Sequence, residues 1–216
     1  MANVDQKQVV RALLHRYGTT YAQETGIRLQ NKSAPLFQLL YSALLLSARI
    51  PAENAVQAAK ALIEAGLTTP EEMAQASWQD RVDVITWHGY KRYDERTSTM
   101  LGKTSELLIQ KYSGDLRKLR QEAGRNVKRE QLLLQQFNGI GPVGADIFLR
   151  EVQPVWNEVY PYADGRVIEA ARRMKLGTSA QALSKLVPRR NFTRFVAALI
   201  RIKLKKNYDE ILKTAR

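Results

Sequence analysis

The sequence has no cysteine, and among its 216 residues only His15 and His88 are histidines. The first absence excludes disulfides, thiolate zinc sites and iron–sulfur clusters, and suits a reducing compartment. The second leaves two imidazoles far apart in the chain, too few for a histidine-based metal centre, so neither a metal nor a cofactor is expected. No apolar run approaches the roughly 20 residues a membrane helix needs. The first residues, MANVDQKQVVRALLHRYG, are amphipathic and charged rather than signal-like. Sustained period-two alternation, internal repeats, low-complexity tracts and flexible linkers are also missing, which argues against a sheet protein or a solenoid.

What the chain has in excess is positive charge. Its 34 Lys and Arg stand against 21 Asp and Glu, for a net charge of +13 and a pI near 10.0. Such an excess attracts polyanions, and nucleic acid is the leading one, because a duplex carries one phosphate per ~1.7 Å of axis and binding releases its counterions. A merely soluble basic protein is the plain alternative. An anionic membrane suits the sequence less well, since the basic residues are spread along the chain rather than gathered in one amphipathic anchor.

The apolar pattern is helical almost throughout, and the fold class expected is all-α. Residues Ala34 to Ala48 are apolar on most faces, as in a buried central helix, whereas Ala52 to Ala65 carry a stripe at 3.6-residue spacing that should pack on it. Thr69-Pro70-Glu71-Glu72 reads as a helix start, with a threonine cap, proline at the first helical position and acids in the first turn. Helical patterns continue at Trp78 to Trp87, Tyr93 to Tyr112 and Lys128 to Phe137. They return at about Arg166 to Leu176, Ser179 to Leu186 and Asn191 to Lys205, beyond a break at YPYADG. Trp78, Trp87 and Trp156 sit at spacings that suit a core.

Between two of these helices lies Asn138-Gly-Ile-Gly-Pro-Val-Gly-Ala-Asp146, with three glycines in six residues. Gly139 and Gly141 tolerate positive φ and bracket Ile140, which can turn back between the flanking helices and anchor the loop. Pro142 suits the first position of the next helix, so the loop runs into a helix N-terminus, where free N–H groups and the dipole favour an anion. Without side chains at the glycines, a phosphate backbone can approach the peptide groups closely.

This hairpin resembles the helix-hairpin-helix of the DNA glycosylase superfamily that includes endonuclease III, the mismatch-acting adenine glycosylase and 3-methyladenine glycosylase. The likeness extends to Leu44-Leu-Leu-Ser-Ala-Arg49, to AAKALIEAG with TPEEMAQA, and to the stretch around His88-Gly-Tyr90, over roughly residues 34 to 175. It implies a two-lobed all-α fold. A helical barrel domain would occupy 32–150, with the hairpin at about 128–152, and 1–31 plus 151–216 would make a second lobe. It also implies a catalytic aspartate about twenty positions after the hairpin, and Asp164 in Tyr162-Ala163-Asp164-Gly165-Arg166 fits that place; as an isolated residue it reads equally well as a helix N-cap. The partner implied is double-stranded DNA containing a lesion, engaged by a cytoplasmic monomer, nucleoid-associated if the source is bacterial. Gly139, Ile140, Gly141, Val143 and Gly144 would form the DNA-binding hairpin.

The chain departs from the resemblance at informative places. The position of the lyase lysine in bifunctional members is Val143, which has no amine to attack C1′, so the expectation is a monofunctional hydrolytic glycosylase. The usual threonine before Ala145 is Gly144, and the four cluster-binding cysteines are missing. A glycosylase must turn its target nucleotide out of the stack and fill the gap. By position, Arg49, Ile50 and Tyr90 are the wedge candidates, with Arg92 and Arg166 on the backbone. Lys91, Arg125, Lys128, Arg129, Arg201, Lys203, Lys205 and Lys206 could follow phosphates as well. Two other readings stay open: a non-catalytic protein that binds damaged, bent or abasic DNA, and an abasic-site lyase using another amine.

Overall fold

The computed structural model describes residues 5–86 and 94–214. Within them every regular element is helical, and the chain divides into two compact units. Unit 1 is discontinuous, Met1–Tyr21 with Val159–Arg216; unit 2 is Ala22–Glu158.

The chain begins in unit 1 with α1 (Gln6–Tyr17), whose N-cap Asp5 accepts a hydrogen bond from the Lys7 N–H. A single turn, α2 (Tyr21–Glu24), crosses into unit 2. There α3 (Ser33–Ser47) is the centre, buried on nearly every side as its continuous apolar run requires, with Phe37 and Tyr41 packed edge to face at 5.3 Å. Each fully buried leucine of this helix contributes roughly 1.5–3 kcal/mol. The amphipathic α4 (Ala52–Glu64) packs on α3 and buries Ala55, Ala58, Ala59 and Leu62. Thr69 and Glu72 close a reciprocal capping box at α5 (Pro70–Gln75), with Pro70 at its start.

The next pair, α6 (Trp78–Thr86) and α7 (Asp94–Tyr112), is joined to α5 by one buried arginine. Arg81 donates to the carbonyls of Met73, Ala76 and Ser98 at 3.0, 2.5 and 3.2 Å. A side chain at Gly102 would fall 2.9 Å from its guanidinium, so glycine is what lets α7 come this close. Two short helices, α8 (Leu116–Glu122) and α9 (Val127–Leu134), lead to the hairpin and to α10 (Pro142–Val152), which packs on α3. Trp156 is fully buried against Phe148 at 5.4 Å, its Nε1 donating to Asn31.

A 3-10 turn at Asn157–Val159 returns the chain to unit 1. There α11 (Gly165–Arg173), α12 (Ala180–Ser184), α13 (Arg189–Lys205) and α14 (Tyr208–Thr214) complete the unit. Both α1 and α11 pack on α13, and Val9, Leu13, Val167, Phe192, Phe195 and Leu199 belong to one buried cluster. With no cysteine in the chain, no disulfide ties this core.

Of the three tryptophans read as core, Trp156 is buried and Trp87 lies outside the described residues. Trp78 departs from that reading. It is 41% exposed at the first turn of α6, and its Nε1 donates to Thr99. No helix among the described residues is long and apolar enough to cross a membrane.

Candidate nucleic-acid interface and carboxylate

The hairpin connects α9 to α10. Its two bracketing glycines differ in kind. Gly139 has φ +84°, and a Cβ there would meet Met100 Sδ at 2.7 Å and Leu44 at 3.1 Å, so both backbone and packing demand glycine. Gly141 does not have the positive φ expected from the sequence. It is extended, at φ −89° and ψ −170°, an ordinary N-cap conformation. A Cβ on it would touch nothing within 4 Å. Packing therefore does not require the missing side chain at Gly141, although glycine suits an N-cap better than alanine does.

Ile140 is buried, as its place between the helices suggested, and its N–H bonds the Phe137 carbonyl at 3.0 Å. Thr104 of α7 donates to the Asn138 carbonyl at 2.9 Å, fixing the loop's entrance. Pro142 opens α10 with no side-chain cap, and the Ala145 N–H is the first to bond back, to Gly141 O at 3.0 Å. The N–H groups of Val143 and Gly144 precede that first helical bond, which gives the exposed end of α10 its donors. Val143 is half-buried. Gly144 is buried on Ile140 and Ser47, where an added Cβ would make ordinary contacts of 3.4 and 3.6 Å.

Beside Gly139 is a cavity of about 410 Å³, walled by Leu44 and Met100 on its apolar side and edged by Ser47, Arg49 and Arg96. Arg49 is thus brought to the hairpin, exposed at the end of α3, with half-buried Ile50 next to it. Tyr90, Arg92 and Lys91 lie outside the described residues.

Under the hairpin's first helix lies a group the sequence did not single out. Glu130, in the first turn of α9, is fully buried, and neither of its oxygens has a hydrogen bond of ordinary geometry. Burial, reinforced by the neighbouring Glu158, pushes its carboxyl up to about 8, with Arg120 pulling the other way. Burial is the largest single influence on Glu158 and pulls it upward, but the hydrogen bonds and charge of Arg120, together with a backbone hydrogen bond and the contact with Glu130, outweigh it and hold Glu158 below the usual carboxylate range. The Arg120 guanidinium in turn lies 5.3 Å from the centre of the Trp156 ring. Sequence could have flagged Glu130 only by its phase on α9, because its partners come from α8 and from the 3-10 turn.

Asp164 belongs to unit 1. It is the N-cap of α11, nearly buried at 9% exposure, with Oδ1 accepting from the Arg166 N–H at 2.7 Å and the Val167 N–H at 3.3 Å. The segment leading to it is held by Tyr160, which packs edge to face on Phe192 at 5.2 Å and lies under the Arg189 guanidinium at 4.6 Å. Arg166 itself is exposed. Among the described residues no group of three or more His, Asp or Glu could hold a metal ion.

Two solved structures share this architecture over nearly the whole chain. A trapped endonuclease III–DNA covalent intermediate, in an estranged-adenine complex, aligns over 91% of this chain and 85% of its own at a TM-score of 0.51 and 19% identity. A non-covalent endonuclease III–DNA complex aligns over the same shares at 0.52 and 19%. The fold is that of endonuclease III. No family model and no curated protein sequence matches the chain. The all-α, two-lobed architecture expected from the hairpin resemblance is therefore the observed one.

Proposed function

We propose that the protein is a monofunctional DNA glycosylase that hydrolyses the N-glycosidic bond of a damaged or mismatched base turned out of duplex DNA. The observation that carries the reading is Gly141. At the uncapped start of α10 the chain leaves out a side chain that the fold itself has room for. A phosphate seated on the Val143 and Gly144 N–H groups needs that room. The fold shared with DNA-bound endonuclease III complexes supports the same partner.

Asp164 is assigned the chemistry. Cleavage of the C1′–N bond leaves the electron pair on the departing base and builds positive charge on the sugar, which a carboxylate at C1′ stabilises. Water then adds to C1′ and loses its proton, with Asp164 as the acceptor. Val143 offers no amine for a Schiff base, so water is the nucleophile assigned. Arg49 at the rim of the hairpin cavity and Ile50 next to it in the chain are assigned to the gap left by the flipped nucleotide, and the exposed Arg166 to a flanking phosphate.

Duplex oligonucleotides carrying alkylated, oxidised, deaminated or mismatched bases test the reading, with base release as the readout. Asp164→Asn retains the cap, because asparagine is as good an N-cap as aspartate, and is expected to keep the fold while losing release by at least about a hundredfold. Borohydride should trap no covalent adduct; an adduct would replace hydrolysis with lyase chemistry. One observation favours a second reading, a non-catalytic protein for damaged or abasic DNA: Asp164 already has a structural task as the cap of α11. Tight binding to an abasic-site analogue with no release from any lesion would select it.

A further inference from the structure

The positive charge is not shared between the units. Unit 1 holds 17 of the 34 Lys and Arg but only 5 of the 21 Asp and Glu, whereas unit 2 holds 17 against 16. Nearly the whole excess of +13 therefore belongs to the smaller, discontinuous unit. Four of its five carboxylates have local tasks: Asp5 and Asp164 cap helices, Glu169 pairs with Lys203, and Glu210 pairs with Arg16. Five carboxylates cannot neutralise seventeen cations by pairing within the unit. Self-repulsion of this size costs the compact state unless an anion is bound.

The cations are also ordered. Arg190, Arg194, Arg201 and Lys205 recur on α13 at intervals of four, seven and four residues. At about 100° per residue they fall within roughly 60° of arc, and at 1.5 Å per residue they span about 22 Å. Neutral groups hold three of them. Arg194 donates to the Gly18 carbonyl at 2.7 Å, Arg201 donates to Thr19 O at 3.1 Å and lies 4.7 Å from the Tyr21 ring centre, and Lys205 lies 5.8 Å from that of Tyr17. For Arg194 and Lys205 a carbonyl and a ring position the cation without cancelling its charge, so less side-chain freedom remains to be lost when a phosphate arrives.

We propose that unit 1 supplies the electrostatic grip of this protein on duplex DNA, with the Arg190, Arg194, Arg201 and Lys205 stripe of α13 following phosphates independently of base sequence. A stripe of about 22 Å covers some six base pairs of duplex at 3.4 Å per phosphate of one strand. The inference rests on the proposed function only in taking duplex DNA as the partner. It adds that the hairpin of unit 2 contributes geometry while unit 1 contributes the salt-dependent affinity.

The test is fluorescence anisotropy on a short unmodified duplex at several salt concentrations between about 50 and 200 mM, the range over which phosphate contacts are most visible. Arg190→Gln with Lys205→Gln removes the two ends of the stripe, both exposed, and leaves the carbonyl-bonded Arg194 and Arg201 in place. Lys103→Gln with Lys118→Gln, equally exposed in unit 2, is the control. Thermal melts verify that both pairs fold. The stripe pair should flatten the slope of log K against log[salt] by about 1.8, at 0.9 per lost contact, while the control changes it by less than about 0.5. Equal slopes for the two pairs, in a wild-type protein that binds duplex steeply, would overturn this inference and leave the proposed function standing. A wild-type protein that ignores duplex DNA, or that prefers anionic phosphatidylserine vesicles to it, would overturn both.

Discussion

At the scale of single residues, the hairpin separates a glycine that folds the chain from a glycine that leaves room. Gly139 is held at positive φ with Met100 and Leu44 where a Cβ would go, so Gly139→Ala is expected to destabilise the protein by about 1–3 kcal/mol. Gly141→Ala places its methyl in open space, and the exchange of one N-cap residue for another costs no more than about 1 kcal/mol. Its effect should appear instead in affinity for duplex DNA, through the same methyl standing between α10 and a phosphate. Denaturant titration and duplex binding, measured on both variants, separate the two roles; a Gly141→Ala protein that binds like wild type would remove the clamp from the hairpin. The sequence offered both glycines as equivalent. It could not distinguish them, because a positive φ and an extended one look alike in a residue without a side chain.

Among the elements, α9 couples the hairpin to a buried carboxyl. The folded protein holds the Glu130 proton up to about pH 8, whereas the unfolded chain releases it near the ordinary 4.5. Between those values the unfolded state binds fewer protons, so stability falls as pH rises through this window and is level on either side of it. Glu130→Gln keeps the shape and removes the charge. It is expected to be near neutral at pH 5 and to stabilise by about 1–3 kcal/mol at pH 9; melts of both proteins across that range decide it, and parallel curves would mean that Glu130 is not held protonated. The helices themselves were largely legible. The buried run of α3, the stripe of α4 and the capping box of α5 each use a local signal, and each formed where the signal lies. The short α8 and α14 were missed. In α8 only Leu116 and Leu119 are buried, too few for a period to show, although Gly114-Asp115 ahead of it is a turn followed by a cap. Trp78 was misplaced because spacing gives a residue's phase on its helix and not the neighbour that would cover it.

The property of the whole molecule hardest to read in sequence was the division of charge. Residues 159–216 alone hold 14 Lys and Arg against 4 Asp and Glu, and 1–21 hold 3 against 1, but only the fold assigns both ends to one unit and so makes the excess a property of that unit. The excess should make the DNA-free protein sensitive to ionic strength: raising salt from about 50 to 200 mM screens repulsion within unit 1 and is expected to raise the melting temperature. A calorimetric series in salt tests this, and a melting temperature that falls with screening would show that attraction, not repulsion, dominates among the unit's charges. The reaction proposed for the hairpin, the carboxylate and the charge is water-dependent release of a base from duplex DNA. The most direct measurement is single-turnover base release from a panel of lesion-bearing duplexes by wild type and by Asp164→Asn, each shown by melting to be folded. The expected result is release from at least one lesion by wild type and a loss of at least about a hundredfold in the variant. Release that survives Asp164→Asn undiminished would contradict the assigned mechanism, and no release from any lesion by wild type would contradict the glycosylase itself.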